Sequence, residues 1–211
     1  NFNTDELISE TQYGFVKRPT HRNRQHDADR FEVCQHKWSA LAESNRVAAI
    51  LNDCKYGISA DGGRMSLTLL KAAQNPALNA DVGIQRFTYC FLPFAGTFYE
   101  SNIVNTAFEL NCPVKVVQGY TEEQSMLKIS KPNVVLSAVK LSEDGKGDII
   151  IRLVEETNNY TKCCVKLGFT VKEAYITNML ENDVECVPVT DSKIELDFKA
   201  FEVKTIRLKI N

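Results

Sequence analysis

The sequence predicts an all-β chain: part of a large β-sandwich, then a smaller immunoglobulin-like β-sandwich, with one short helix. Three observations predict it. Apolar residues recur at every second position in short segments, as in Val47, Ala49 and Leu51, in Ile149, Ile151 and Leu153, and in Ile206, Leu208 and Ile210. That is the period of a strand with one buried face. Gly, Pro, Asn and Asp punctuate these segments at short intervals, which is turn chemistry. One stretch, Ser101 to Leu110, carries apolar residues at helical spacing.

Taken in order, residues 6–18 read as extended, with Tyr13 and Phe15 alternating and Pro19 ending the run. Residues 20–29, THRNRQHDAD, read as a polar loop whose arginines pair with its aspartates. His21, His26, Asp27 and Asp29 offer metal-ligand chemistry there, but the interleaved arginines would repel a cation. Residues 30–57 are the centre of the first half. Two strands are expected, one carrying Phe31 and Val33 and one carrying Val47, Ala49 and Leu51, joined by a polar connection over residues 40–45. Residues 58–63 read as a turn, because adjacent glycines supply positive φ. Residues 64–71 are then expected to pair with 47–54 as an antiparallel hairpin. Residues 74–83 form a loop, and the aromatic-rich segment 86–94 is expected in the sandwich core. Ser101 is the expected helix N-cap and Pro113 the stop.

Residues 118–124 are polar and lack periodicity, so they read as a linker between a first domain, 1–117, and a second, 125–211. Strands are expected in the second at 126–130, 133–141, 148–155, 161–168, 172–178, 193–198 and 202–210. Seven short strands at such spacing suggest an immunoglobulin-like sandwich.

The 211 residues are 44% hydrophobic and 25% charged with a net charge of −2. Nothing here advertises a nucleic-acid surface or an acidic membrane, and no apolar run approaches the ~20 residues a membrane helix needs. Seven cysteines show no C-x-x-C spacing and mostly lie in apolar segments. They read as reduced, buried thiols of a cytoplasmic protein, in which the sequon at Asn159 carries no weight. The chain opens on Asn1, not methionine, and reads as a piece of a longer protein. Its incomplete sandwich is expected to expose sheet edges, which favours a homo-oligomer.

Five pieces, in this order and spacing, carry a resemblance: Lys17–Asn23 (KRPTHRN), Phe31–Trp38 (FEVCQHKW), Ala48–Gly57 (AAILNDCKYG), Arg86–Pro93 (RFTYCFLP) and Ala107–Pro113 (AFELNCP). Together they resemble the β-sandwich region of glycoside hydrolase family 38 α-mannosidases of the cytosolic-type branch. The match covers about residues 13–117 closely and 125–211 more loosely. It implies that the large sandwich is of the galactose-mutarotase-like supersandwich type. It also implies a parent enzyme that removes terminal α-linked mannose with retention. The nucleophile, the acid/base carboxylate and a zinc ion bound by Asp and His would lie in an N-terminal α/β barrel, the partner domain of this region. No alternating β-α pattern occurs here, so the chain alone is expected to be inactive and to need no cofactor of its own. The Lys17–Asn23 segment would help hold the sandwich against the catalytic domain.

Local chemistry offers little else. Glu32, Asp53 and Asp61, with Asp27 and Asp29, could form a carboxylate pair, but a retaining glycosidase needs two about 5 Å apart. No Gly-x-Ser-x-Gly elbow occurs, and Cys34 with His36 on one strand need not touch. The substrate-side candidates are Asn52, Asp53, Lys55 and Tyr56, able to bond sugar hydroxyls or barrel side chains. The plainer reading has Asn52 and Asp53 capping a turn and Tyr56 packing on a sheet edge. Lys71 is a further candidate, standing where the resemblance implies an arginine; lysine lacks the bidentate fork. Trp38 reads as core before it reads as a sugar platform. The competing function is an independent carbohydrate-binding module, which needs exposed aromatics; the aromatics here fall mostly on positions expected to be buried.

Overall fold

A computed structural model describes residues 2–210. Two compact units divide the chain, Asn1–Lys115 and Val116–Asn211.

The first unit contains strands β1 (Glu6–Thr11), β2 (Gly14–Pro19), β3 (Val33–Cys34), β4 (Trp38–Ala42), β5 (Arg46–Asn52), β6 (Gly57–Asp61), β7 (Arg64–Leu67) and β8 (Tyr89–Ala95), with helices α1 (Gln25–Asp29) and α2 (Ile103–Asn111). One sheet has the order β2-β1-β4-β5-β8 and a second has β3-β6-β7. Leu7, Leu41 and Ile58 are buried between them, with Val33, Ala60 and Met65 packed alongside. Strand alternation sends Trp38 to the face opposite Leu41. There it meets Phe98 at 5.5 Å, which in turn meets Phe15 edge-on at 5.3 Å. Ile103, Val104 and Ala107 of α2 are buried, covering β4 and β5. Trp38 is thus core.

The second unit holds β9 (Leu127–Ile129), β10 (Val134–Leu141), β11 (Ile149–Glu155), β12 (Thr161–Leu167), β13 (Glu173–Thr177), β14 (Asp183–Val187), β15 (Lys193–Phe198) and β16 (Val203–Lys209). A five-stranded sheet, β10-β11-β16-β13-β14, faces a three-stranded one, β15-β12-β9. Ile151, Leu153, Val165, Ile194, Phe198 and Ile206 fill the space between them and are fully buried. All seven expected strands are present.

Several expectations are corrected. The segment at 64–67 pairs with β6, not with β5; β5 lies between β4 and β8. Residues 38–42 are a strand, because Trp38 and Leu41 are too apolar to serve as a polar connection. Residues 57–61 are likewise a strand, so the turn shrinks to Gly62 and Gly63. The polar 20–29 segment contains the five-residue α1. Ser101 does not cap α2: Asn102 holds that position, and the Ser101 hydroxyl donates to the Phe98 carbonyl at 2.6 Å. Tyr89 and Phe91 are 61% and 64% exposed, so the 86–94 aromatics are not core. Cys34, Cys54, Cys90, Cys112 and Cys186 are exposed, and only Cys163 is buried; all seven are free. An eighth strand, β14, was not expected.

Candidate functional site

Strand β5 ends on Asn52, which is buried and organises the stretch after it. Its side-chain amide donates to the His36 carbonyl at 2.9 Å, and its side-chain carbonyl accepts the Lys55 N–H at 2.6 Å. From α2, Asn111 donates to the Asn52 carbonyl at 3.0 Å. This is turn capping by an amide side chain, and it leaves Asn52 no polar atom for a ligand at that point. Asp53 is exposed but bonded: its carboxylate accepts the Thr88 N–H at 3.0 Å. That bond, then one from Cys54, holds its pKa below the ordinary value.

Lys55 and Tyr56 are held by their backbones and present their side chains outward. Gln35 donates its backbone N–H to the Tyr56 carbonyl at 2.8 Å, and its side chain donates to the Lys55 carbonyl. The Lys55 ammonium lies 4.9 Å from the Phe87 ring centre. Tyr56 is 57% exposed and meets His36 edge-on at 5.7 Å.

Lys71 joins the site through Glu32. Its ammonium donates to one Glu32 oxygen while the Thr68 hydroxyl donates to the other. These two bonds, Lys71 first, lower the Glu32 pKa. A Cβ at Gly57 would stand 2.5 Å from the Glu32 carboxylate, so a larger residue there would push the Glu32 side chain aside. The chain therefore brings Lys55, Tyr56, Glu32 and Lys71 to one end of the first unit. Sequence reading missed Gln35, Phe87, Thr88, Thr68 and Asn111, and weighed His36 only as a partner for Cys34. All of these but Thr68 had a signal, since they lie in the five pieces that carried the resemblance.

The electrostatics argue against acid/base catalysis at this end. Both Glu32 and Asp53 are shifted down, so both are ionised at neutral pH, whereas a general acid needs a raised carboxyl pKa. The 20–29 segment is also not a metal centre in geometry. Asp27 is taken by Arg24 at 3.1 Å and His26 at 2.9 Å; the arginine pair is the one the plain reading expects, whereas Asp29 accepts from Gln25 at 2.9 Å. Among the described residues no group of three or more His, Cys, Asp or Glu is placed to hold a metal ion.

Residues 1–79 match the model of the glycosyl hydrolases family 38 C-terminal domain. Residues 133–206 match that of the glycosyl hydrolases family 38 C-terminal beta sandwich domain. The chain belongs to glycoside hydrolase family 38. It is 35% identical over 213 residues to alpha-mannosidase 2C1 of Homo sapiens, covering 97% of this chain and 20% of that protein. To alpha-mannosidase G of Dictyostelium discoideum it is 30% identical, covering 96% and 19%. A solved alpha-mannosidase structure from Enterococcus faecalis superposes with a TM-score of 0.74 at 16% identity, over 99% of this chain and 24% of that one; that likeness shows the fold. The family 38 chain thus spans about a fifth of the length of these curated relatives and corresponds to their C-terminal, non-catalytic region.

Proposed function

We propose that this chain is the C-terminal supporting module of an α-mannosidase that hydrolyses terminal α-linked mannose with retention. The rest of that enzyme would contribute a zinc-bearing catalytic domain, which is the partner of this module. The carrying observation is the combination of two family models, both C-terminal, with relatives named alpha-mannosidases that are five times longer. Lys55, Tyr56 and Lys71 would face the catalytic domain or the sugar; the exposed Tyr56 and Lys71 and the half-buried Lys55, gathered at one end of the first unit, support this. The apolar surface formed by Ile50, Leu67, Leu69, Tyr89 and Phe91 supports burial against further polypeptide. A cytoplasmic setting is part of the proposal, supported by seven free thiols. Among the described residues no helix is long and apolar enough to cross a membrane.

The exposed Tyr89 and Phe91 also favour a second reading, a carbohydrate-binding face. The lining of their groove is apolar, with no cluster of hydroxyl or amide groups to bind sugar hydroxyls, so the first reading is preferred. The deciding experiment compares the longer enzyme carrying Lys55→Ala or Tyr56→Phe with its parent. Lower turnover at unchanged melting temperature supports substrate-side placement. Unchanged turnover per folded molecule with a lower melting temperature removes the stretch from the site.

A further inference from the structure

A second concavity in the first unit, sharing no lining residue with Asn52–Gly57, has a different character. It encloses about 260 Å³ between the end of β2, α1 and β6, and Arg18, Arg24, His26, Asp27, Arg30 and Phe31 are among its lining residues. The charges do not cancel. Asp27 is the one carboxylate in the lining, and it is saturated: Arg24, His26 and the Arg24 backbone N–H at 3.3 Å already use its oxygens. Among the described residues, Arg18 and Arg30 have no ion-pair partner. The Nη1 of Arg18 is buried with no hydrogen-bond partner.

An unpaired guanidinium N–H away from water costs free energy, and two guanidinium groups without a counter-ion repel. Burial lowers the Arg18 pKa, and Arg30 adds to that lowering against the opposing effect of Cys34. A planar fork of N–H donors is complementary to a carboxylate or phosphate. The buried Leu7, register partner of Arg18, and the half-buried Val33 line the Arg18 side of the wall and would strengthen such a pair there, while Arg30 and Phe31 are exposed. We propose that this cavity is an oxyanion site, in which one carboxylate or phosphate group is held between Arg18 and Arg30. Its volume suits a small anion and falls short of most drug-sized ligand pockets. The anion is either free in solution or a carboxylate from further polypeptide; the chemistry is the same.

The test uses inorganic phosphate, with acetate as competitor, against the 211-residue chain at fixed ionic strength. Calorimetric titration should show saturable uptake at millimolar phosphate, and the melting temperature should rise with phosphate as linkage requires. Arg18→Gln and Arg30→Gln should each weaken uptake tenfold or more. Arg86→Gln, an exposed arginine elsewhere, should not. In anion-free buffer Arg18→Gln should melt no lower than the parent chain, because it removes an unsatisfied charge; a purely structural arginine would give the opposite. Repeating the titration on the longer enzyme separates the sources. Retained phosphate uptake points to a free anion, whereas lost uptake together with destabilisation by Arg18→Gln points to a polypeptide carboxylate. No saturable uptake by the folded 211-residue chain, or uptake unchanged in both variants, would overturn the proposal.

Discussion

Asp53 and Thr88 are bonded reciprocally: the Thr88 N–H donates to the Asp53 carboxylate at 3.0 Å, and the Asp53 N–H donates to the Thr88 carbonyl at 3.2 Å. The pair closes the ladder between β5 and β8 one residue beyond its last register pair, Asn52 with Tyr89. An aspartate that reads from sequence as a ligand for sugar hydroxyls is thus already committed to the backbone. Asp53→Ala should cost about 1 kcal/mol, seen as a lower midpoint in urea unfolding. Turnover of the longer enzyme per folded molecule should be unchanged.

Asn52→Ala should be the more damaging change. It orphans the Lys55 N–H and the His36 carbonyl together at a buried position, for a loss of roughly 2 kcal/mol. Chemical denaturation of Asn52→Ala and Asn52→Asp, side by side, checks this. The aspartate keeps the acceptor for Lys55 and loses the donor to His36, so it should fall between the parent and alanine.

The same positions show how much the sequence reveals. Alternation placed Val47, Ala49 and Leu51 in the core, and all are 1% exposed or less. It also found seven strands of the second unit. Pairing was not legible: β7 presents Met65 and Leu67 to either neighbour equally well, and the adjacent glycines at 62 and 63 decide for the local partner β6. Strand β14, Asp-Val-Glu-Cys-Val, lies at a sheet edge with four of five residues exposed, so it has no buried face to write a period. The exposure of Tyr89 and Phe91 was hidden for a similar reason. Their apolarity is real, but no strand or helix among the described residues covers them. Which of the candidates Asn52, Asp53, Lys55 and Tyr56 look outward depended on bonds from His36, Gln35, Thr88 and Asn111, far away in sequence.

In the second unit, Arg207 is 6% exposed and bridges Asp144 at 2.7 Å and Asp148 at 3.2 Å, while donating to the Glu181 carbonyl at 2.8 Å. Arg207→Ala leaves the buried Asp148 carboxylate without its partner and should destabilise that unit by roughly 3 kcal/mol. Differential scanning calorimetry of the variant reads this directly.

Low pH should weaken the same network. The Arg207 bond, followed by that from Ser142, holds Asp144 far below the usual carboxylate range. Lys140 and then the Glu143 N–H lower Glu181. Folded values lie below unfolded ones, so the stabilisation is complete above the unfolded carboxyl pKa of about 4 and is lost as pH falls through the folded values. Urea midpoints measured from pH 7 to pH 2 should hold level and then decline below about pH 4, with a shallower decline in Arg207→Ala.

Thiol labelling tests the corrected cysteine placement. Cys34, Cys90, Cys112 and Cys186 should react first with an aromatic disulfide at pH 8. Cys54 should lag although it is exposed, because its bond to Asp53, and then burial, raise its pKa and deplete the reactive thiolate. Cys164 should lag similarly through Glu195. Cys163, fully buried, should label only on unfolding. Asp53→Asn should speed Cys54 labelling selectively.

The most direct test is hydrolysis of an aryl α-mannoside by the purified 211-residue chain, with and without added zinc, beside the longer enzyme. With Glu32 and Asp53 both ionised, and no metal-binding group among the described residues, the chain alone should show no turnover under either condition, while the longer enzyme turns over. Hydrolysis by the chain alone that survives repurification and disappears in Asp53→Asn would contradict its assignment as a supporting module.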